Sequence, residues 1–274
     1  MASVASSSQL FEERVRLAGF NTRALRLDGR GPTFVLLHGF ADSADTWRGV
    51  LERLCDNGRA AVALDLPGFA TADPMVEYES VLDQLADFAA AATDHYGDCV
   101  LVGNSLGASA ALVCEAEVPR VAIAPAGFDM GGWIYRLEGF WMLQTLLRAP
   151  LPAAPMRRAV GEIFRRLAVY DQRAVAADAV ERFTSHHGSR RIVAGYLDVA
   201  RRLVPELSEE LLVSACDQPA LVIWGREDRM LPVSGHEKLL ERIPHARVEL
   251  IARCGHCPQL ECPQRVAEML LSFA

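Results

Sequence analysis

The sequence predicts an α/β fold, a mostly parallel sheet of about eight strands with helices on both faces and an inserted helical cap. Three observations carry this prediction. Brief apolar runs rich in branched residues alternate with longer amphipathic stretches, which is typical of a sheet covered by helices on both faces. Residues 128–205 break that alternation and show only helical patterns. A chain of 274 residues is long enough for one such domain with an insertion.

The predicted strands are short apolar runs, as expected of strands that meet water on neither face. An opening pair, Val15–Leu17 and Ala24–Leu27, is joined through Gly19, Phe20 and Asn21. Six further runs are brief, mostly apolar and rich in branched residues: Phe34–Leu37, Ala61–Leu64, Val100–Val102, Val121–Ala124, Leu221–Trp224 and Val248–Ile251. Together these runs account for a sheet of about eight strands.

Helices are predicted in the gaps between these strands. Ser43 is a candidate N-cap for a helix over about Asp45–Cys55, where apolar residues recur at helical spacing. The stretch Tyr78–Tyr96 has the same periodicity. A third helix is expected to begin at Ser105, and Arg265–Phe273 is expected to close the chain.

Residues 128–205 are predicted to form the cap, a helical lid inserted between two strands, which leaves residues 1–127 and 206–274 as the core. The interval contains three closely spaced prolines and no convincing strand. Residues 129–205 hold 12 arginines, no lysine and seven acidic residues, a net charge of +5 in a protein whose formal net charge is −7. A basic segment within an acidic chain indicates a separately built module, and a solvated helix surface is its simplest explanation.

Composition argues against several classes of protein. An apolar content of 51% with 23% charged residues suits a soluble globular enzyme. The apolar runs are too short for a transmembrane segment, and the first residues lack the pattern of a secretory signal, so a cytoplasmic location is expected. Seven dispersed cysteines indicate reduced thiols. The negative net charge argues against nucleic acid as a partner.

The most informative segment is Gly103-Asn104-Ser105-Leu106-Gly107, a G-x-S-x-G pattern between a predicted strand and a predicted helix of small residues. A sharp turn at this point would lift the serine side chain above the end of the strand. So strained a backbone requires small neighbours, which glycine supplies on either side. The helix that follows directs its free N–H groups and positive dipole end toward the reacting oxygen. Ser105 is therefore the predicted nucleophile.

With this motif the sequence resembles the α/β-hydrolase superfamily over nearly its whole length. The family places a His-Gly pair after an earlier strand, and His38-Gly39 follows Phe34–Leu37 accordingly. The resemblance implies an oxyanion hole formed by the backbone N–H groups of Phe40 and Leu106, which would bind charge that develops only in the tetrahedral intermediate. His38 itself is expected to support its loop by hydrogen bonding.

A serine hydroxyl needs a neighbouring base to take its proton. The family places that base after the last strand, which corresponds here to His256, and the family's helix entry just beyond it is matched here by Pro258, Glu261 and Pro263. The loop after the preceding predicted strand resembles the family's G-x-x-D-x-x-x-P pattern and implies Asp228 as the acid that orients the base. Asp129 is a rival candidate for the acid. The order Ser105, Asp228, His256 is that of this superfamily.

Two other histidines, His186 and His187, are expected at the surface of the cap.

The segment Cys254-Gly255-His256-Cys257 also has the letters of a protein disulfide isomerase site. Such a C-x-x-C motif needs a helix N-terminus in a thioredoxin fold, whereas this one follows some eight predicted strands of another fold. A metal site on Cys254, Cys257 and Cys262 has no evident fourth ligand. Neither redox catalysis nor a metal is expected, and the predicted reaction requires no cofactor.

The predicted reaction is hydrolysis of a small-molecule carboxylic ester through an acyl-enzyme on Ser105. Apolar residues at the start of the cap are candidate pocket walls: Met130, Trp133, Ile134, Phe140, Trp141 and Met142. Within the same fold, carbon–carbon bond hydrolysis of ring-cleavage products stays open, although the loop after His38-Gly39 lacks the Gly-Pro-Gly stretch associated with it. A perhydrolase side activity and a ligand-binding homologue without catalysis also stay open.

Overall fold

The computed structural model describes residues 9–130, 153–175, 177–208, 213–214 and 217–274. Eight strands are found in these ranges: β1 Leu10–Leu17, β2 Phe20–Leu27, β3 Arg30–Leu37, β4 Arg59–Leu64, β5 Cys99–Asn104, β6 Arg120–Ile123, β7 Ala220–Gly225 and β8 Arg247–Ile251. They form one sheet in the order β1-β2-β4-β3-β5-β6-β7-β8. All eight predicted strands are confirmed, and several extend beyond their apolar centres into polar residues.

The sheet is antiparallel at one edge and parallel elsewhere. β1 pairs with β2, and β2 with β4, in antiparallel register. Every other neighbouring pair, from β4–β3 through to β7–β8, is parallel. The carboxyl ends of parallel strands meet at the same edge of a sheet, where α/β proteins place their ligands. The loops after β3, β5, β7 and β8 therefore converge.

Helices cover both faces of the sheet. Those described are α1 Arg48–Asp56, α2 Val81–Tyr96, α3 Leu106–Val113, α4 Ala153–Ala168, α5 Ala177–Ser185, α6 Arg190–Ser208, α7 Gly235–Leu240, α8 Pro258–Glu261 and α9 Pro263–Phe273. Alternate side chains of β3 point to opposite faces, as the pleat requires. Val35 and Leu37 pack in the apolar cluster that contains α2 and α3, whereas Phe34 and Leu36 pack in the one that contains α1 and α9.

Two predicted helix starts were wrong. The helix predicted from Tyr78 begins at Val81, because the Ser80 side chain accepts a hydrogen bond from the backbone N–H three residues on and caps the helix there. Ser43 precedes a 3₁₀ turn at Ala44–Trp47 and makes no capping hydrogen bond with its side chain.

Helices α4, α5 and α6 lie in the chain between β6 and β7, where the sequence predicts a cap, and the described residues 153–175 and 177–208 are called the cap below. Helix α6 continues past residue 205 to Ser208. It is attached to the core at several points: the Tyr196 hydroxyl accepts from the Ala70 N–H at 3.1 Å, and the Glu206 carboxylate accepts from the first N–H groups of α2. None of the described helices is both long and apolar enough to span a bilayer.

The expectation that His186 and His187 lie at the surface was wrong. His187 is 3% exposed, and its Nδ1 is 3.0 Å from the Phe183 carbonyl oxygen. Burial lowers the pKa of His187. The His186 ring lies 3.6 Å from the Asp45 carboxylate of the core. Both residues are covered because the cap folds back onto the core, a contact that their local sequence does not show.

Candidate active site

Ser105 stands at the turn between β5 and α3, with φ 53° and ψ −115°. This conformation is strained for a residue with a side chain, and its N–H is held by the Ile123 carbonyl at 2.9 Å. A Cβ atom on Gly103 would lie 2.2 Å from the Gly107 carbonyl oxygen, and one on Gly107 would lie 2.5 Å from the His38 carbonyl oxygen. Both glycines are therefore required by the close approach of backbone to backbone.

The two residues predicted to form an oxyanion hole lie beside this serine. Leu106 is the first residue of α3, so its N–H belongs to the helix start, where backbone donors have no acceptor within the helix. Phe40 follows Gly39, and a Cβ atom on Gly39 would come within 3.3 Å of the Ser105 Cβ atom. The structure thus brings the loop after β3 into direct contact with the serine.

His38 supports this loop and has no free nitrogen, as predicted. Its Nε2 accepts the Leu66 N–H at 2.8 Å, so the proton is on Nδ1, which donates to the Gly39 carbonyl oxygen at 2.7 Å. Burial lowers the pKa of His38 to about 4. The neutral imidazole links the loop after β3 to the loop after β4.

Asp228 and His256 form a buried pair in the loops after β7 and β8. The Asp228 Oδ2 atom is 2.8 Å from His256 Nδ1, and its Oδ1 atom accepts the N–H groups of Met230 and Leu231 at 2.8 Å each. The two side chains are 0% and 4% exposed. A carboxylate in this position places the imidazole proton on Nδ1 and leaves Nε2 with a lone pair.

The rival acid, Asp129, is elsewhere. Its partly exposed carboxylate accepts a hydrogen bond from the Ser234 hydroxyl and forms an ion pair with Lys238 at 2.7 Å. The hydrogen bond from Lys238 lowers the pKa of Asp129. This residue stabilises the start of α7 and is not hydrogen-bonded to His256.

Asn104, which precedes the serine, connects the β5 turn to the histidine loop (residues 252–257). Its Nδ2 donates to the backbone carbonyl oxygens of Ile123 at 3.2 Å and His256 at 3.1 Å, and its Oδ1 accepts from Gln259 Nε2 at 3.0 Å. It is 1% exposed. The sequence motif alone did not reveal this role of Asn104. The signal that could have done so was a polar residue between two small ones at the end of an apolar strand.

Ser105 and His256 line the same cavity of about 120 Å³. Its other described lining residues are all apolar: Phe40, Leu106, Ala126, Met130, Ala200, Leu203, Val204, Leu207, Met230 and Leu231. Met130 is one of these lining residues, whereas the other candidate wall residues, Trp133, Ile134, Phe140, Trp141 and Met142, fall outside the described residues. None of the wall residues predicted by name lies on α6, which supplies Ala200, Leu203, Val204 and Leu207. The sequence signal for this wall was a set of apolar residues spaced three and four apart, which share one face of the helix.

The cysteines of the histidine loop have the wrong environment for redox catalysis. The Cys254 and Cys262 sulfur atoms are 3.4 Å apart, and this contact together with burial raises the pKa of Cys254. Burial raises the pKa of Cys257. A thiol–disulfide enzyme needs the opposite shift in its attacking thiol. No cluster of three or more metal-binding side chains occurs in the part of the chain that the structure describes.

Comparison with known proteins agrees with this architecture. A 2-hydroxy-6-oxononadienedioate/2-hydroxy-6-oxononatrienedioate hydrolase of Burkholderia vietnamiensis is 29% identical over 87% of this chain and 85% of its own. A monoacylglycerol lipase of Xenopus laevis is 26% identical over 89% of this chain and 76% of its own.

The crystal structure of an alpha/beta hydrolase fold protein from Burkholderia ambifaria superposes with a TM-score of 0.79 at 18% identity, over 97% of this chain and 99% of the other. At that identity the likeness concerns the fold alone. The model of the alpha/beta hydrolase family matches residues 34–269. The chain is an enzyme, a hydrolase, and belongs to the alpha/beta hydrolase family.

Proposed function

We propose that this hydrolase cleaves carboxylic esters with an apolar acyl group through an acyl-enzyme on Ser105. The observation that carries the proposal is the apolar cavity shared by Ser105 and His256. Among the described residues that line it, these two alone have polar side chains. A group bound there is surrounded by hydrocarbon, and its carbonyl carbon meets a single hydroxyl nucleophile.

In the proposed reaction His256 Nε2 takes the hydroxyl proton as Ser105 Oγ attacks the ester carbonyl. Asp228 holds the imidazole in the required tautomer and stabilises the imidazolium that forms. The N–H groups of Phe40 and Leu106 bind the developing oxyanion, each contributing about 10²–10³ in rate. His256 then gives its proton to the leaving alkoxide. Water, activated by the same imidazole, discharges the acyl-enzyme.

The size of the cavity suggests the acyl group. A cavity of about 150 Å³ with an apolar lining is known to hold benzene, and this one measures about 120 Å³. It therefore suits an alkyl chain of about four to six carbons. Helix α6 supplies four of the apolar residues that line the cavity. An acyl chain too long for the cavity must therefore displace this helix or extend past it.

Carbon–carbon bond hydrolysis on the same residues is the second candidate, because the Burkholderia vietnamiensis relative is named for a dienedioate, which carries two carboxylates. Burying a carboxylate among apolar groups without a partner costs several kcal/mol. No cationic side chain lines the cavity among the described residues. This favours an ester over a dicarboxylate.

A panel of p-nitrophenyl esters from acetate to decanoate, compared with a coloured 2-hydroxy-6-oxo dienoate, tests the proposal. We expect the highest kcat/KM for acyl chains of about four to six carbons and a far lower value for the dienoate. A fluorophosphonate probe should label Ser105, and Ser105→Ala should abolish both labelling and turnover. Preference for the dienoate would select the second candidate. Tight binding without turnover would indicate a ligand-binding homologue.

A further inference from the structure

We propose that Glu261 is a positioning residue, which fastens the cap to the main chain that carries His256. The inference rests on the proposed role of His256 as the base. Glu261 is the acidic residue of the segment Pro258–Pro263 after the histidine, and the proposed reaction itself makes no use of it. It accepts hydrogen bonds from backbone N–H groups in two separate parts of the chain, and the Cys254 Sγ atom lies 4.0 Å from its Oε1 atom.

The carboxylate of Glu261 joins those parts through three backbone hydrogen bonds. Its Oε1 atom accepts the N–H of Gly255, the residue before His256, at 2.6 Å. Its Oε2 atom accepts the N–H groups of Tyr170 and Asp171, just beyond the end of α4, at 2.9 and 3.1 Å. Hydrogen bonds from neutral donors to a charged acceptor are stronger than those between neutral groups. One side chain thus holds the cap against the histidine loop.

The backbone of His256 is itself bonded to the cap. Its N–H donates to the Ala168 carbonyl oxygen at 2.8 Å, and the Cys257 N–H lies 3.3 Å from the same oxygen. Ala168 ends α4, so its carbonyl is among the last four of the helix, which have no partner within the helix. A Cβ atom on Gly255 would lie 2.8 Å from both the Ala168 oxygen and the Tyr170 nitrogen. The two segments therefore touch without room for a side chain.

The same end of α4 also reaches the loop that carries Asp228. The Arg229 guanidinium donates to the Arg166 carbonyl oxygen at 3.2 Å and lies 5.9 Å from the centre of the Tyr170 ring. A small apolar cluster fills the space between cap and core with buried residues from both: Ala168, Val169, Val175 and Cys257. The cap thus contacts both loops that supply the Asp228–His256 pair.

The core and the cap therefore hold different groups of His256. The core holds its ring through Asp228 and its carbonyl oxygen through Asn104, whereas the cap holds its N–H through Ala168. Without the Glu261 carboxylate, the N–H groups of Gly255, Tyr170 and Asp171 lose their acceptor, and fewer contacts hold the two segments together. Movement of the cap then displaces His256 relative to Ser105. A displacement of about 1 Å can cost about 10²-fold in rate.

The experiment compares Glu261→Ala and the nearly isosteric Glu261→Gln with the control Glu268→Gln. The exposed carboxylate of Glu268 lies on α9 and pairs, among the described residues, with Arg265 and Gln264. The measurements are kcat and KM for an ester, the rate constant and amplitude of fluorophosphonate labelling, and amide hydrogen exchange at Tyr170 and Asp171. Thermal unfolding establishes that each variant is folded.

We expect Glu261→Ala to lower kcat and the labelling rate by about 10- to 100-fold, with KM little changed and exchange at Tyr170 and Asp171 accelerated. Glu261→Gln should fall between Glu261→Ala and wild type, because it keeps one acceptor oxygen. Destabilisation alone would reduce the amplitude of labelling, because fewer molecules are folded, without lowering the rate constant of labelling.

Unchanged exchange in Glu261→Ala would overturn the inference, as would faster exchange with wild-type kcat and labelling rate. Failure of the ester proposal is distinguishable from both results. If wild type is labelled at Ser105 but hydrolyses no ester, the substrate assignment fails, and the labelling rates of the variants still decide the role of Glu261.

Discussion

Replacing Asp228 by asparagine tests whether this carboxylate sets the tautomer of His256. The Oδ1 atom of Asp228 accepts two backbone N–H groups, from Met230 and Leu231, and Oδ2 is bonded to His256 Nδ1. An asparagine must keep its oxygen toward the two backbone donors, because the opposite orientation sets an NH₂ group against both of them. Its NH₂ group then faces His256, which can accept that hydrogen bond only with its own proton moved to Nε2.

An imidazole protonated at Nε2 has no lone pair there to take the proton of Ser105. Loss of the required tautomer costs a Ser-His-Asp triad about 10⁴-fold in kcat, which corresponds to about 5 kcal/mol at roughly 1.4 kcal/mol per factor of ten. The fold should tolerate the change, because the side chain keeps its shape and both backbone donors keep their acceptor. We therefore expect a nearly inactive protein with a Tm close to that of wild type.

Steady-state hydrolysis of a short-chain ester measures the effect, and thermal unfolding checks the fold. Asp129→Asn is the matched control, since that carboxylate also follows a sheet strand but pairs with Lys238; it should leave kcat unchanged. A loss of less than about tenfold in Asp228→Asn, or an equal loss in both variants, would refute the reasoning.

Three further predictions concern the turn, the cavity and the core. Gly103→Ala should prevent normal folding because its Cβ atom would lie 2.2 Å from a backbone oxygen; a wild-type Tm would contradict this. Leu207→Trp should fill the cavity and lower the ratio of kcat/KM for hexanoate over acetate esters, whereas an unchanged ratio would exclude α6 as a wall. Asp65→Asn should destabilise the fold by about 3 kcal/mol in denaturant unfolding, because the buried Arg23 guanidinium loses one of its two buried carboxylate partners and keeps Asp45 and the exposed Glu12. Burial acts to raise the pKa of Asp65, but hydrogen bonds from Arg23 hold it below the ordinary 3.8. In wild type, the contribution of Asp65 to the free energy of unfolding is therefore complete above pH 3.8 and is lost as the pH falls through the lowered pKa of this carboxyl. The free energy of unfolding of Asp65→Asn should lack this pH dependence.

The strand centres and the serine turn were predictable because their causes are local. A run such as Phe34–Leu37 meets water on neither face, so every residue is apolar and the strand is visible in composition alone. Glycine is required at Gly103 and Gly107 because a Cβ atom there would clash with backbone a few residues away or at the end of the adjacent strand. Strand ends were less predictable. Polar residues of β1 pair in register with β2 while their side chains face solvent, and apolar content does not reveal that pairing.

The choice between Asp228 and Asp129 illustrates what lies beyond local pattern. Both follow strands of the parallel part of the sheet, and both are acidic residues near a turn. The difference is which loop reaches the histidine, and this depends on how β7 and β8 pair. The cavity wall on α6 and the burial of His187 have the same origin, since both require the cap to fold back onto the core.

The amino-acid sequence by itself determined the fold class, the eight strand centres and the three residues proposed for catalysis, because periodicity, glycine placement and motif order are properties of contiguous residues. Tertiary structure alone decided the apolar lining of the cavity, the burial of the cap histidines and the attachment of His256 to the cap through Glu261. Those features join residues as far apart in sequence as Ala168 and His256. Contacts at such separations depend on the packing of whole elements.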